Sequence, residues 1–355
     1  MASNNINMAS PSSLPSTMRA AQWRSIAGGI EKNLKTIADA KLPKGAGSLH
    51  KDYTLVKVAY ASLNHLDYKV AEMPLGSALF SKPATPGLDF SGTVVATSLD
   101  ILKPGQRVLG RTEPPVGGTL AEYVLVGKAG VASLPGSVSL KDASCVGICG
   151  VTALQTLSPY VGPGSKVLIN GGSGGVGVFA IQVAKALGCS HVTAVCSASN
   201  ADLCRGLGAD AVIDYKSGDL VSTLKESGEQ YDHILDAVFV NPNLYWQCEH
   251  YLSPKGTYVS VGLPIRFGTL KTLFAIHLLP KFLGGGKRKF VFHSVTGNPE
   301  HFAQVAQWIS EGKVRPVIEE EFSLEDAAAA YGRLKAGSAK GKLVVRVGGE
   351  GGAGA

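Results

Sequence analysis

The stretch INGGSGGVGVFAIQVAKALG, from Ile169 to Gly188, carries the most informative local pattern in the chain. The apolar run KVLIN, which overlaps its first residues, predicts a β-strand. Val176, Ala180, Val183 and Leu187 then recur at the spacing of an amphipathic helix. A second apolar run, HVTAVC, follows that helix. The succession of strand, glycine-rich turn, helix and strand is typical of a parallel sheet covered by helices.

Gly172, Gly174 and Gly177 form a GxGxxG pattern in the turn. The first glycine permits a tight turn, the second lets the backbone approach a pyrophosphate, and the third packs the helix on the strand. The unpaired N–H groups at the helix N-terminus then attract the phosphates. A purely structural glycine turn is the alternative, but the flanking strands favour a dinucleotide site. The cofactor-binding residues predicted here are Gly172, Ser173, Gly174, Gly175, Val176 and Gly177.

The end of the second strand indicates which dinucleotide is bound. It reads CSASN, and no carboxylate occurs before Asp202, inside the next predicted helix. NAD sites usually place Asp or Glu here, whereas a carboxylate would repel the 2′-phosphate of NADP(H). Ser197 and Asn200 can donate hydrogen bonds to that phosphate, so NADPH is favoured, although no arginine stands in the loop. Three more residues, at or after the ends of later strands, are assigned to the cofactor site: Tyr215, Val261 and Gly262. For Tyr215, surface packing is the alternative.

The pattern of apolar runs along the chain of 355 residues predicts two domains. Residues 19–152 contain short apolar runs broken by Gly and Pro, such as YTLVKVAYASL and DFSGTVVATS, which predict a barrel-like β domain. Residues 153–295 alternate strands with helices and predict a doubly wound α/β domain. Residues 296–347 are expected to complete the first domain. Residues 1–18 and 348–355 are expected to be flexible tails.

The composition excludes several classes of protein. The net charge is +7, but Lys and Arg are scattered apart from KRK at residues 287–289, so no nucleic-acid partner is expected. The six cysteines form no CxxC pair and sit in apolar segments, which predicts reduced thiols and a cytoplasmic location. The longest apolar stretch, residues 269–283, is short and interrupted by Lys and Pro. No membrane span is therefore predicted.

Motifs along most of the chain resemble those of the medium-chain dehydrogenase/reductase superfamily. They include ASLNHLDYK, PGLDFSGTVV, PGQRVLG, GTLAEYVLV, GVTALQTL, the glycine-rich stretch, LGADAVIDY and GKLVVRV. In detail the chain is similar to the quinone oxidoreductase-like and fungal enoyl reductase-like branches. The resemblance implies a GroES-like catalytic domain joined to a Rossmann domain, and it suggests a homodimer.

Some members of this superfamily hold a catalytic zinc, and the resemblance locates their ligand positions in this chain. Asn64 stands where the zinc enzymes have a cysteine, and Leu88 replaces their histidine. Only Cys149 keeps a residue type that binds zinc, while a catalytic site needs about three protein ligands. No metal site is therefore predicted. A site improvised from His65, Asp67 and Cys149 is the weaker alternative.

Without zinc, hydride transfer suits a substrate that is already electrophilic, such as an enone, an enoyl group or a quinone. Lys69 stands where the resemblance to fungal enoyl reductases places a pocket lysine, which could stabilise an enolate or donate a proton. Tyr68 is a second candidate donor, and Asn64 could donate to a carbonyl. Thr152 resembles a threonine near the nicotinamide and is assigned to both the catalytic and the cofactor site. The alternatives are a solvated Lys69, a packed Tyr68, an Asn64 bonded within a turn and a Thr152 bonded to its helix.

These features predict an NADPH-dependent, zinc-independent oxidoreductase that acts on an activated C=C bond or a quinone. Its partner would be a small and lipophilic substrate. Two alternatives stay open: a zinc-free alcohol or carbonyl dehydrogenase, and a non-catalytic NADPH-binding protein. The fold alone does not decide among them, since the chemistry depends on the site.

Overall fold

The computed structural model describes residues 14–261, 275, 276, 279 and 285–348. The chain divides into two compact units. The first comprises Met1–Val151, Thr296–Gly312 and Pro316–Ala355, and the second comprises Thr152–Val295 and Lys313–Arg315. Gly262, most of the apolar stretch 269–283 and nearly all of the tail expected at 348–355 lie outside the described residues.

The elements are numbered in chain order. The strands are β1 (Thr17–Gln22), β2 (Lys35–Lys41), β3 (Tyr53–Ser62), β4 (Asp89–Thr97), β5 (Arg107–Arg111), β6 (Tyr123–Gly127), β7 (Val131–Ser133), β8 (Lys166–Asn170), β9 (His191–Cys196), β10 (Ala211–Asp214), β11 (Tyr231–Asp236), β12 (Leu252–Ser260), β13 (Lys289–Phe292), β14 (Ile318–Ser323) and β15 (Lys342–Arg346). The helices are α1 (Ile30–Asn33), α2 (Leu66–Glu72), α3 (Leu140–Ala143), α4 (Val151–Leu157), α5 (Gly175–Ala186), α6 (Ala201–Gly206), α7 (Leu220–Glu226), α8 (Asn243–Trp246), α9 (Pro299–Ser310) and α10 (Ala327–Lys335).

The first unit is built on a sheet in which the strands follow the order β14-β15-β3-β4-β5-β7, with β6 paired to β3. The long strand β3 pairs with β6 along its first half and with β15 along its last residues. Strands β1 and β2 form a separate antiparallel pair. Side chains from α1, α2 and α10 pack on this framework and bury a core that includes Trp23, Phe90 and Tyr331. The segment after residue 296 thus supplies strands and core to the first unit, because β15 is hydrogen-bonded directly to β3.

The second unit contains a six-stranded sheet in the order β10-β9-β8-β11-β12-β13, and every pairing is parallel. Numbered within the unit, this order is 3-2-1-4-5-6, the arrangement of dinucleotide-binding sheets. The strand order reverses between β8 and β11, so the glycine-rich turn after β8 lies at the switch point where such sheets bind ligands. The fold is therefore the mixed α/β class that the sequence predicts.

Several local features of the structure follow from short sequence patterns. Ser139 caps α3, because its hydroxyl accepts the N–H of Asp142. Asn298 caps α9 through the N–H groups of Glu300 and His301, and a proline follows it in the first turn. Gly188 has a positive φ of 85° just beyond α5.

Other local features escape the sequence patterns. Strand β1 begins at Thr17, inside the segment expected to be a tail, because Met18 is buried against Ala40 and Ala121. Strand β14 has the polar sequence IEEEFS and forms by pairing with β15, which its own pattern does not indicate. Residues Val146–Gly150 form a turn of π-helix.

Candidate active site

The glycine-rich turn of the second unit is tightly packed against β9 and against its own backbone. A Cβ atom on Gly172 would lie 2.8 Å from the Cβ of Ala194, and one on Gly177 would lie 2.1 Å from the carbonyl oxygen of Gly171. The positive φ of the turn, 89°, belongs to Gly171, one residue before the predicted motif begins. Gly172 is therefore required for close packing, and Gly171 makes the turn.

Gly174 differs from its neighbours because its packing alone would tolerate a side chain. A Cβ atom there would meet only the carbonyl oxygen of Gly171 at 3.5 Å, and its φ is −81°. It is the N-cap of α5, where no side chain caps the helix and no acid occupies the first turn. The first N–H groups of α5 are thus available to an anion, so this turn fits the pyrophosphate of a dinucleotide.

Asn200 extends the polar surface beside this turn. Its amide donates to the hydroxyl of Ser173 at 3.0 Å, while its own Oδ1 is buried and has no hydrogen-bond partner. Asn200 precedes α6 but its side chain makes no capping bond, because the amide is turned toward Ser173 instead. A buried acceptor without a partner beside an uncapped helix end is consistent with a ligand that completes the site.

The ends of β9 and β10 lie side by side, since Tyr215 donates its N–H to the carbonyl of Cys196. The hydroxyls of Ser197 and Ser199 are 3.0 Å apart and exposed. The Tyr215 ring is also exposed, and Lys216 Nζ lies 5.9 Å from its centroid. Sequence reasoning missed Lys216, although a lysine directly after the third strand could have indicated a phosphate contact.

Asp236, at the end of β11, organises the neighbouring strand ends. It accepts hydrogen bonds from Asn170 at 2.9 Å, from the hydroxyl of Tyr258 at 2.5 Å and from the N–H of Phe239 at 2.8 Å. The carbonyl of Asp236 accepts the N–H of Val261, which locates that predicted cofactor residue at the same sheet edge. Sequence reasoning missed this network because its members are far apart in the chain.

Thr152 lies in the first turn of α4 and is buried. Its carbonyl accepts the hydroxyl of Thr156 at 2.7 Å. The next turn of the same helix carries Gln155, whose Oε1 lies 3.1 Å from His293 Nε2. Burial lowers the pKa of His293, so its imidazole is neutral at pH 7.

Helix α2 of the first unit carries the candidate proton donors. The hydroxyl of Tyr68 lies 2.6 Å from His65 Nδ1. Burial and then Glu72 raise the pKa of Tyr68 to about 12, so the phenol stays protonated. The surrounding protein atoms, and then Lys69 and Lys342, lower the pKa of His65 to about 4. Tyr68 therefore donates to the neutral imidazole, which leaves the ring proton of His65 on Nε2.

Lys69 is exposed, yet the protein atoms around its ammonium lower its pKa below the usual 10.5 by desolvation. Tyr68, in contrast, is buried, with Lys335 Nζ 5.2 Å above its ring and the ring of Tyr331 edge-on at 6.2 Å. Tyr68 is thus held in place by packing. Its hydroxyl contacts His65, and the His65 side chain is exposed at the surface. Sequence reasoning considered His65 only as a weak metal ligand.

Asn64 lies in a buried polar cluster of the first unit. Its amide nitrogen donates to the backbone carbonyl of Ser62 at 3.2 Å and to Asp89 at 2.9 Å. Its Oδ1 accepts from Lys342 Nζ at 2.6 Å and from the Cys149 thiol at 3.4 Å. Both amide protons are engaged, so no N–H of Asn64 is left for a substrate carbonyl. One of these bonds, to the Ser62 carbonyl, is with the backbone, and the other three join side chains.

Two buried carboxyl groups flank this cluster. Asp89 accepts from Ser62 and Asn64, and Asp67 accepts from the N–H of Asn64 and the hydroxyl of Tyr331. One oxygen of each carboxyl group has no hydrogen-bond partner. Burial raises the pKa of Asp67 to about 7, against the hydrogen bond from Asn64, which lowers it. Burial alone would lower the pKa of Lys342, but Cys149 and Asp89 raise it above its usual value, so the lysine is charged.

The residues at the superfamily's zinc positions do not fit a catalytic zinc. Asn64 offers one amide oxygen, Leu88 offers none, and burial raises the pKa of the Cys149 thiol. The ammonium of Lys342 already occupies the space beside Asn64 and Cys149. Within the part of the chain that the structure describes, no three His, Cys, Asp or Glu side chains are grouped to hold a metal. The glycine-rich turn, in contrast, fits its cofactor.

No helix among the described residues is long and apolar enough to cross a membrane. All six cysteines are described, and each is free and buried.

Comparison with known proteins extends these observations. Residues 50–136 match the family described as alcohol dehydrogenase GroES-like domain, and residues 207–345 match the family described as zinc-binding dehydrogenase. The trans-enoyl reductase pgmF of Aspergillus terreus is 43% identical over 350 residues, which cover 95% of this chain and 98% of the relative. The chloroplastic quinone-oxidoreductase QR1 of Triphysaria versicolor is 32% identical, with coverage of 92% and 98%.

Among solved structures, the quinone oxidoreductase from Coxiella burnetii is similar over 93% of this chain and 99% of its own, with a TM-score of 0.78 and 30% identity. Both matched families and both kinds of relative are dehydrogenases or reductases. The chain therefore belongs to the medium-chain dehydrogenase/reductase superfamily, in its quinone oxidoreductase-like and enoyl reductase-like branch, and is an oxidoreductase with a nicotinamide cofactor.

Proposed function

We propose that this protein is a zinc-independent, NADPH-dependent reductase of an activated C=C bond. The observation that carries the proposal is the state of the former metal position: an amide, an aliphatic side chain and a thiol stand there, and the lysine ammonium lies beside them. None of these four side chains can polarise an alcohol oxygen as a zinc ion does. The 43% identity with a trans-enoyl reductase supports the enoyl substrate over other electrophiles.

The reaction requires few groups from the protein. NADPH held at the glycine-rich turn would supply a hydride to the β-carbon; the C=C electron pair would then move toward the carbonyl oxygen, and the α-carbon would finally take a proton. The protein has to stabilise the negative charge on the oxygen and supply that proton. These reaction steps need no metal, because the conjugated carbonyl makes the β-carbon electrophilic.

Lys69 is the residue that we assign to the developing charge. Its ammonium is exposed and its lowered pKa makes it a better acid than an ordinary lysine. His65 can donate a hydrogen bond from Nε2–H to the same oxygen, since Tyr68 fixes the tautomer of the neutral ring with Nε2 protonated. Tyr68 itself is a positioning residue in this scheme, because its hydroxyl is engaged with His65.

The preference for NADPH over NADH rests on the ends of β9 and β10. No carboxylate occurs between Cys196 and Asp202, while Ser197 and Ser199 offer hydroxyls and Lys216 adds a positive charge beside Tyr215. Charge-assisted hydrogen bonds of this kind favour a 2′-phosphate. We expect K216A to weaken NADPH binding about tenfold and to leave NADH binding nearly unchanged. A variant S197D should shift the preference toward NADH.

The proposal is tested with purified protein by NADPH oxidation against enoyl thioesters, enones, quinones, aldehydes and ketones. Reduction of enoyl substrates, with the saturated product identified by mass spectrometry, is the expected result. Activity confined to quinones would favour the second candidate, which the quinone oxidoreductase relatives support. Activity confined to aldehydes or ketones would indicate a carbonyl dehydrogenase. Tight NADPH binding without turnover would indicate a binding protein.

The role of Lys69 has its own test. We expect K69M to lower kcat about 100-fold with little change in the Kd of NADPH, and to remove the loss of activity that deprotonation of Lys69 causes at alkaline pH. Lys128, an exposed lysine paired with Asp52 in the same unit, provides the matched control K128M. Equal effects of K69M and K128M would contradict the assignment.

Three further properties are proposed. The six free, buried cysteines support a reducing compartment such as the cytoplasm. The homodimer suggested by the resemblance stays a prediction, which light scattering of the purified protein would test. A lipophilic substrate also remains a proposal, for which the substrate panel should include enoyl chains of increasing length.

A further inference from the structure

Lys342 is the first residue of β15 and the only lysine among the fully buried side chains of the described residues, with 2% of its surface exposed. Its Nζ lies 3.0 Å from the carbonyl oxygen of Leu63, 2.6 Å from Asn64 Oδ1 and 3.4 Å from Cys149 Sγ. An ammonium group has three N–H donors. All three are engaged by these acceptors, so Lys342 has none to offer to a substrate.

The acceptors of this ammonium include the polar residues at two of the superfamily's zinc positions. Asn64 and Cys149 both contact Nζ directly, and Asp89, next to the third position at Leu88, lies 3.6 Å away. The positive charge is therefore located where the remaining metal-ligand positions meet. A catalytic metal keeps one open coordination position for its substrate, whereas this ammonium is fully coordinated by protein.

We propose that Lys342 is a built-in cation that takes the place of the superfamily's catalytic metal and prevents a divalent ion from binding among Leu63, Asn64, Asp89 and Cys149. This inference extends the zinc-independent part of the proposed function. It assigns the lysine a positioning role, since it holds Asn64 and Cys149 without contacting the substrate. It also predicts a latent metal site that removal of the lysine would open.

The chemistry of the opened site follows from the groups that the lysine contacts. The thiol of Cys149, the carboxylate of Asp89 and the oxygens of Asn64 and Leu63 would surround the space left by the ammonium. One sulfur and three oxygens are a set that Zn²⁺ and Co²⁺ accept in four-coordinate geometry. Binding would release the thiol proton to solvent, because the metal is held by the thiolate.

The test compares Co²⁺ binding by wild-type protein and by K342A, followed by absorption and equilibrium dialysis. We expect K342A to take up about one Co²⁺ per chain with a thiolate-to-cobalt band in the near ultraviolet, and wild-type protein to show neither. The double variant K342A/C149S should lose that band. K342R keeps the positive charge and should bind no Co²⁺.

A matched control comes from Lys335, another lysine of the same unit, which contacts Glu31 and Glu72. K335A frees two carboxylates but no thiol, so it should not give a thiolate band. If K342A fails to fold without metal, the expected result is that Zn²⁺ added during refolding restores the native circular dichroism spectrum. Failure to fold with Zn²⁺ present would count against the latent site.

Three results would overturn the inference. They are a thiolate-to-cobalt band in wild-type protein, folded K342A that binds no Co²⁺, and K342R that binds Co²⁺ as K342A does. These readouts do not depend on catalysis. The proposed reductase activity could therefore fail in the substrate panel while the metal result stands, and the converse is equally visible.

Discussion

The glycine-rich turn of the second unit and the Lys342 cluster of the first are assembled in opposite ways. The turn uses consecutive residues, and its shape depends on close packing that leaves no room for a Cβ at Gly172 or Gly177. The cluster joins residues 62–67, 89, 149 and 342, and its shape depends on side-chain hydrogen bonds. The turn leaves N–H groups available to an anion, whereas the cluster engages every donor of its cation. The glycine-rich turn thus keeps hydrogen-bond donors free for a ligand. The Lys342 cluster keeps none free, because the protein itself supplies both the cation and its acceptors.

The two units also differ in how they bury titratable groups. The first unit pairs a buried lysine with a buried aspartate at 3.6 Å. The second unit buries His233 with its ring stacked on Tyr160 at 5.3 Å and neither ring nitrogen hydrogen-bonded, and burial lowers its pKa to about 3. The buried lysine of the first unit is thus paired with a carboxylate, whereas the buried histidine of the second unit is kept neutral.

The largest expected effect concerns His233 and acid stability. The native ring stays neutral down to about pH 3, while the unfolded chain takes up a proton below its ordinary pKa of 6.5. The unfolded state then binds more protons, so unfolding free energy falls with falling pH by up to about 1.4 kcal/mol per pH unit. H233F should reduce the loss of melting temperature between pH 6.5 and pH 3.

The control for this measurement is H250F, which replaces an exposed histidine of the same unit. It should melt as wild type does at every pH. An unchanged pH dependence in H233F would mean that the second unit also compensates its buried group, and the contrast between the units would then be lost.

A second prediction separates packing from ligand binding within the glycine-rich turn. G177A forces a Cβ atom to 2.1 Å from the carbonyl of Gly171 and should cost about 1–3 kcal/mol, or several degrees of melting temperature. G174A meets nothing closer than 3.5 Å and should melt as wild type does. It should nevertheless weaken NADPH binding about tenfold or more, since the added methyl group lies where the backbone has to approach the phosphates.

Calorimetry for stability and fluorescence titration with NADPH for binding check both variants. Loss of stability in G174A, or unchanged NADPH binding in it, would contradict the assignment of this glycine to the ligand.

The smallest expected effect tests a purely local feature of the first unit. S139A removes the hydroxyl that caps α3 and should cost about 1 kcal/mol. The melting temperature should fall by a few degrees, with activity unchanged. The exposed Ser137, which is not a cap and contacts the hydroxyl of Ser310, provides the control S137A. A shift from S137A as large as that from S139A would show that the cap is not the cause.

The accuracy of sequence-based prediction follows the same division between local and distant contacts. The parallel sheet, the glycine-rich turn and the caps at Ser139 and Asn298 were predictable, because each depends on residues within a few positions of one another. The polar strand β14 was not predictable, because it exists through its pairing with β15. Asn200 directly precedes α6, where an asparagine commonly caps a helix, but its amide bonds to Ser173, which lies 27 positions away.

The candidate site divides in the same way. The sequence alone determined the dinucleotide fold and the loss of zinc ligands at Asn64 and Leu88, since both follow from residue types at recognisable positions. Only the tertiary structure decided what occupies the place of the metal. Lys342 is separated from Asn64 by 278 positions, and the sequence of β15 predicts only a strand. The pairing of β15 with β3 brings the ammonium of Lys342 to Asn64. A buried charge is stabilised by the groups around it, and folding alone determines which groups those are.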